Sequence, residues 1–322
     1  MPRAVKDEVA ALLGSPVLRA ARVYGGYAPS ATFRIVLRDG RHAFLKSTYP
    51  LPAGSGVQWS VDREERFYRS ASARVSRWAP RFLGSFARDG WHALLLEDLG
   101  PSRVQPWSAH KARDAARDYA RFHASTLGGR LPRWIPRTTH HDFAGYWDEL
   151  GTSGDLELVA ALAGRRAAES IEWLDVALPV LRAHERRLLT LRGPNALLHF
   201  DTRSDNIRLQ GTRLRIFDWP YASVGPAEFD LGAFAQSIHV EGGPVPERVV
   251  AWYAEVLPVR EHALDASVAG FSGYFADRAR RPPVAGLPRI RSFQRRQLKS
   301  SLAWAARLLE LPEPRWLAAV RD

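Results

Sequence analysis

The sequence predicts an α+β chain in two lobes, a small antiparallel sheet followed by a larger, mostly helical part. Three observations carry this. Short alternating apolar runs between residues 33 and 99 are separated by the turn pairs Asp39-Gly40 and Asp89-Gly90. Gly100-Pro101 then breaks the chain. From Ser108 onward, apolar residues recur mainly at spacings of three and four, the signature of amphipathic helices.

Residues 4–13 form an amphipathic helix stopped by Gly14. A glycine loop, Tyr24 to Thr32, precedes the strand Phe33 to Leu37, which turns at Asp39-Gly40 into the strand His42 to Lys46. Backbone N–H groups of such a loop can cover phosphates, with the Ser30 hydroxyl beside them. After a loop over 50–56, Ser60 caps a helix from Val61 to about Ala73, with Asp62 and Glu65 in its first turn. Two adjacent glutamates on it are distinguishable. Glu65 precedes Arg69 by four and pairs with it at the surface, whereas Glu64 shares a face with Val61, Phe67, Tyr68 and Ala71 and is turned inward. An inward carboxylate needs a cation, and Lys46 is the nearest candidate. Arg81 to Phe86 and Trp91 to Leu99 complete a sheet of about five strands.

Ser108 starts a helix that reaches Leu127 and stops at Gly128-Gly129; His123 lies on its apolar face as a core residue. His140-His141-Asp142 reads as a loop. Helical patterns follow at 156–163 and 169–191, near Phe229, and at about 246–256, 261–276 and 290–309.

Composition narrows the chemistry. With 322 residues, 46% hydrophobic and 25% charged, the chain can bury a large core. No apolar run reaches the length of a membrane helix, and Met-Pro-Arg-Ala-Val-Lys-Asp-Glu lacks the apolar core of a signal peptide, so a cytoplasmic protein with no membrane partner is expected. The absence of cysteine removes disulfides and thiolate metal sites, leaving oxygen ligands for any metal. A net charge of +12 raises nucleic-acid binding, but the arginines are spread through every segment with acids between them, so no nucleic-acid partner is expected. Among so many arginines, the lysine inside a strand, Lys46, stands out.

The central stretch is Ala196 to Asp218. The runs Ile207 to Leu209 and Leu214 to Phe217, joined through Gly211-Thr212, form a hairpin whose register sets Asn206 opposite Phe217 and beside Asp218. An amide and a carboxylate oxygen at one hairpin edge suit Mg²⁺. Asp201, five residues before Asn206, is spaced to face a substrate hydroxyl while Asn206 holds the metal. Strand lysine, helix glutamate and the Asp-Asn-Asp set arrive in the order of a phosphoryl-transfer site.

At these residues the sequence resembles the aminoglycoside phosphotransferase family, related to choline-type small-molecule kinases and to protein kinases. The resemblance covers roughly residues 22–236. It rests on His199-Phe-Asp-Thr-Arg-Ser-Asp-Asn206, Ile216-Phe-Asp-Trp-Pro220, Lys46, and Glu64 in Glu-Glu-Arg-Phe-Tyr. It implies a protein-kinase-like fold and an ATP-dependent kinase, with GTP as an alternative donor and Mg²⁺ as the metal. Asp201 is the implied catalytic base, and Asn206 and Asp218 are the implied metal ligands. Lys46, its partner Glu64, and Gly25, Gly26 and Ser30 of the glycine loop are expected at the nucleotide. Glu97 to Leu99 match the hinge that contacts the nucleobase through backbone, setting expected lobes of 1–100 and 101–322. Phe200 departs from the family, which usually has Gly there. Asp230 is implied to support the loop.

The expected acceptor is a small molecule with a free hydroxyl, an antibiotic or related natural product, in a setting of antibiotic resistance or self-protection. The arginine-rich segment 237–322 disfavours a highly cationic acceptor. A metabolic alcohol kinase of choline or homoserine type and a non-catalytic nucleotide-binding module are the competing readings. A protein kinase is disfavoured because no Ala-Pro-Glu segment follows Asp218. Monomer and homodimer are both compatible with the sequence.

Overall fold

Alternation along the second strand of the sheet sets the first layer: Ala31, Phe33, Ile35 and Leu37 are buried while the residues between them are only half-buried. The structure, a computed structural model, describes all residues except 25–29, 51–59, 138–143 and 285–286. The expected glycine loop at Gly25 and Gly26, most of the loop over 50–56, and the His140-His141-Asp142 segment lie outside the described residues.

The chain begins with α1 (Arg3–Leu13), β1 (Val17–Val23), β2 (Ala31–Leu37), β3 (His42–Ser47), α2 (Asp62–Ser70), β4 (Phe82–Arg88) and β5 (Trp91–Glu97). It continues through α3 (Ala109–Thr126), α4 (Tyr146–Ser153), α5 (Leu156–Ala161), α6 (Ala167–Arg187) and the short strand β6 (Ala196–Leu198). The hairpin β7 (Ile207–Gln210) and β8 (Arg213–Ile216) follows, then β9 (Ser223–Gly225), α7 (Ala227–Val240), α8 (Pro246–Ala254), α9 (Glu261–Arg280) and α10 (Ile290–Leu308). Two compact units result. The chain leaves the first after Arg103, returns to it for Asp205–Tyr221, and stays in the second from Ala222. A single cut near residue 100 does not describe this return of the hairpin.

In the first unit, five antiparallel strands run in the order β1-β2-β3-β5-β4. Val5 and Val9 of α1 cover one face, packing with Phe33, Ile35, Leu37, Leu45 and Leu95. Each such aliphatic side chain contributes about 1.5–3 kcal/mol on burial. Because side chains alternate along β3, Ala43 and Leu45 turn toward that core and Lys46 turns to the opposite face. β1 was not foreseen as a separate strand. It is an edge strand without a period-two burial pattern, so it carries no alternation to read.

α2 buries Glu64, Phe67 and Tyr68; its N-cap residue is Val61 and not the expected Ser60, whose Oγ accepts the Asp62 N–H at 3.0 Å from one residue further out. The helix ends at Ser70, earlier than Ala73, because Ser72–Val75 tightens into a 3₁₀ turn. Phe67 stacks on Trp219 at 4.3 Å, packing the segment after the hairpin against this helix.

In the second unit, α9 packs against α4, α6, α7 and α10. Its buried positions include Ala266, Ser267, Ala269, Gly270, Ser272 and Gly273, small residues that admit neighbours closely. At Gly273 a Cβ would lie 2.8 Å from the Trp147 ring and 2.9 Å from Glu185 Oε1, so no larger residue fits. α4 was not anticipated; the remaining helices lie within a few residues of the expected ranges, α9 running to Arg280. Among the described residues, no helix is long and apolar enough to cross a membrane.

Candidate active site

The hairpin register comes out as its turn dictates. Gln210 pairs with Arg213 and Ile207 with Ile216, and beyond them the Phe217 N–H donates to the Asn206 carbonyl at 2.9 Å. Asn206 is buried, and Asp218 follows Phe217 with φ +69°, a left-handed conformation that Asp tolerates better than bulkier residues. Two hard oxygen donors, one amide and one carboxylate, therefore flank one end of the hairpin. With no cysteine in the chain, this donor set suits a cation such as Mg²⁺.

Lys46 Nζ lies 2.5 Å from Glu64 Oε2 and 2.6 Å from Asp218 Oδ1. The structure thus joins three of the predicted residues in one cluster. Burial opposes the charge on Lys46, but the two carboxylates outweigh it and hold the ammonium above its ordinary range. Burial pushes the Glu64 carboxyl up, against the pull of Lys46, and the Trp219 N–H gives it a further, longer contact at 3.4 Å.

Other predicted residues of this unit have structural duties. Glu97 pairs with Arg215 at 2.7 Å and accepts the Arg81 N–H at 3.0 Å; burial raises its carboxyl, but the Arg215 bond and the Arg81 N–H prevail and leave it lowered. Asp98 accepts the Gly100 N–H at 2.9 Å, bracing the segment that contains Leu99. Ser30 directly precedes β2, and its carbonyl accepts a hydrogen bond from Arg22 at 2.8 Å. Asp62, Glu65 and His92 form a second group of metal-type side chains. Their atoms are engaged with one another, Glu65 with His92 Nε2 at 2.6 Å and Asp62 with His92 Nδ1 at 3.0 Å.

In the second unit, Asp201 stands at the end of the turn after β6. Its two carboxylate oxygens contact the Arg203 guanidinium at 2.7 and 3.1 Å, a two-point pairing that fixes the plane of the carboxylate. Sequence reasoning missed this contact, although the spacing of two residues was visible. The turn is braced by Asp230, which accepts the His199 N–H at 2.6 Å, the Phe200 N–H at 2.8 Å and the Tyr119 hydroxyl at 2.6 Å. Burial raises the Asp230 carboxyl, but His123 and Tyr119 hold it below its usual range. His123 is fully buried and also contacts the Tyr253 hydroxyl at 2.7 Å, as expected of a core histidine. Phe200 adopts φ +72° and stacks on Phe229 at 4.6 Å. A left-handed residue is where glycine is usual, which gives a physical meaning to the departure at this position.

No curated protein matches the chain. Among solved structures it is similar to a choline/ethanolamine kinase family protein from Mesorhizobium loti, with 18% identity, TM-score 0.56, and coverage of 99% of this chain and 98% of that one. It is also similar to a thermostable mutant of an aminoglycoside phosphotransferase in apo form (13% identity, TM-score 0.55, coverage 95% and 98%). A third is an amicoumacin kinase in complex with AMP-PNP, Ca²⁺ and Ami (11% identity, TM-score 0.53, coverage 96% and 92%). At these identities the likeness concerns the fold, which is that of the protein-kinase-like small-molecule phosphotransferases. The family model described as "Phosphotransferase enzyme family" matches residues 21–266, and the chain belongs to that family.

Proposed function

We propose that the protein is an ATP-dependent kinase that transfers a phosphoryl group to a hydroxyl of a small molecule, with Mg²⁺ as its cation. The observation that carries this reading is the Lys46 cluster, in which one strand lysine meets the helix carboxylate Glu64 and the post-hairpin carboxylate Asp218. Lys46, kept charged by both, is suited to orient the α and β phosphates. Asn206 and Asp218 would hold the cation, which when bound neutralises charge on the phosphate oxygens. Asp201 would align the acceptor hydroxyl and take its proton as the oxygen attacks the γ phosphorus and the ADP oxygen leaves. Arg203 holds Asp201 in one orientation for that task.

The acceptor we favour is a natural-product alcohol, in the sense of an antibiotic or a related compound. Support comes from the similar structures, two of which are an aminoglycoside phosphotransferase and an amicoumacin kinase. The test is release of ADP from ATP, and separately from GTP, across a panel of hydroxylated antibiotics and metabolic alcohols, with and without Mg²⁺. A peptide mixture and DNA serve as controls. Mg²⁺-dependent ADP release stimulated by a small alcohol is the expected result. ADP release stimulated only by peptide, or no binding of Mg·ATP at all, would refute it.

A further inference from the structure

Asp201 lies in a part of the second unit that is rich in guanidinium groups and tyrosines. The phenol of Tyr274 on α9 feels both Asp201 with Arg203 and, one helical turn on, Arg278; burial holds the phenol above its usual range. Arg278 is half-buried, its guanidinium 5.2 Å from the Tyr274 ring centroid and 5.7 Å from that of Tyr146, and it donates to the Tyr146 hydroxyl at 3.2 Å. Arg203 sits over the Phe293 ring of α10 at 5.3 Å. Aromatic faces of this kind hold a guanidinium in place without neutralising it.

Among the described residues, the carboxylates nearby are outnumbered. Asp277 is shared by Arg280 at 2.8 Å, Arg281 at 2.7 Å and, more loosely, Arg278 at 3.6 Å, and Arg280 also takes Asp155 at 2.8 Å. Arg291 donates to the Arg278 carbonyl and to Gln294 Oε1. Glu185, which supports Tyr146 through its backbone N–H, has its carboxyl pushed up to about 8 by burial and adds no full negative charge at neutral pH. Positive charge therefore remains around Arg278.

We infer that the acceptor carries an anionic group, a carboxylate or a phosphate, bound by Arg278 beside the mutually packed Tyr146 and Tyr274 rings while its hydroxyl is presented to Asp201. This rests on the kinase reading and narrows its acceptor. Asp201 is already held by Arg203 at 2.7 Å and Arg278 only loosely by Asp277 at 3.6 Å, so Arg278 has the greater capacity for a two-point bond to a planar carboxylate or to phosphate oxygens.

The experiment uses the full chain with Mg·ATP and acceptors in matched sets: glucitol, gluconate and glucitol 6-phosphate, and likewise glycerol, glycerate and glycerol 3-phosphate. Direct binding of malonate, inorganic phosphate, glucitol and Tris is measured by calorimetry on the same protein. Anionic members should exceed their neutral partners at least tenfold in kcat/KM, the ratio of carboxylate to phosphate telling which source is preferred. Malonate or phosphate should bind where glucitol and Tris do not. Arg278→Ala should raise KM for the anionic acceptor 10- to 100-fold and remove anion binding, with the KM for ATP changed less than twofold, and Arg278→Lys should recover part of the loss. The melting temperature of each variant checks that it is folded. Neutral acceptors outrunning their anionic partners, or malonate and phosphate binding that is absent or unchanged in Arg278→Ala, overturns the inference. Failure of the kinase reading looks different: Mg·ATP then does not bind the wild type.

Discussion

Lys46 Nζ stands 2.6 Å from Asp218 Oδ1, a contact between residues 172 apart in the chain. It makes the strand lysine a bridge between a carboxylate on α2 and one after β8, so the positions of helix, sheet and hairpin within the first unit are tied through one ammonium. Removing that ammonium would leave Glu64 buried and Asp218 partly buried without their common partner.

Lys46→Ala is expected to lower kcat/KM for ATP on the order of 10²-fold, the usual scale for a lost phosphate-stabilising group. The fold should persist but weaken. Leaving buried Glu64 without its cation costs about 3–5 kcal/mol less whatever protonation of the carboxyl recovers. Glu64→Gln should be milder in both respects, since Lys46 keeps Asp218. Thermal melting beside steady-state kinetics checks the pair; a Lys46→Ala protein as active as wild type removes this residue from the site.

Asp201 and Asp218 should separate under the same substitution. Asp218→Asn replaces a charged metal ligand and is expected to weaken Mg·ATP binding at least tenfold. Asp201→Asn should leave that affinity within about twofold and lower kcat 10²- to 10⁴-fold, because the lost group acts on the acceptor. Titration with Mg·ATP beside turnover decides. Loss of nucleotide binding in Asp201→Asn alone would reverse the two assignments.

These contrasts follow the line between what the sequence encodes locally and what it does not. The register that brings the Phe217 N–H to Asn206 is fixed by a two-residue turn and period-two pairing, and both are readable. The inward turn of Glu64 follows from helical spacing, so its pairing with Lys46 could be anticipated. The approach of Asp218 to the same ammonium is set by tertiary packing, including Phe67 on Trp219, and no local periodicity records it. The Arg203–Asp201 pair lies only two residues apart and was still overlooked, since a turn conformation decides whether such residues meet. β1 hid for another reason: an edge strand exposes both faces and need not alternate.

Phe200 offers a test of backbone against packing. At φ +72° a phenylalanine is strained by roughly 1–2 kcal/mol relative to glycine. Its ring is buried against Phe229, and losing a phenylalanine ring of this kind costs about 3–5 kcal/mol. Packing should win. Phe200→Gly is expected to be less stable than wild type by about 2–3 kcal/mol, and Phe200→Ala less stable again by about 1 kcal/mol, since alanine loses the ring and keeps the strain. Denaturant unfolding of the three proteins gives the order, and an alanine variant as stable as the glycine variant would show that the left-handed conformation is not retained.

Glu185 should make the stability of the protein depend on pH. Its carboxyl is fully buried, accepts the Tyr146 and Trp147 N–H groups at 3.0 Å each, and is pushed from an ordinary 4.5 up to about 8, because burial outweighs those two donors. Between these values the folded protein keeps a proton that the unfolded chain has lost. Stability from this group is therefore complete below about pH 4.5 and declines as pH rises toward 8, by on the order of 3–5 kcal/mol over the window. Glutamine cannot titrate, and its amide NH₂ meets one backbone N–H where an acid would accept. Glu185→Gln should accordingly be less stable than wild type at pH 5.5, with a deficit that shrinks or inverts by pH 8.5. Melting temperatures of both proteins at the two pH values measure this, and the comparison cancels groups that titrate alike in each. A deficit equal at both pH values would mean that Glu185 is already ionised in the fold at pH 5.5, its two N–H donors having overcome burial.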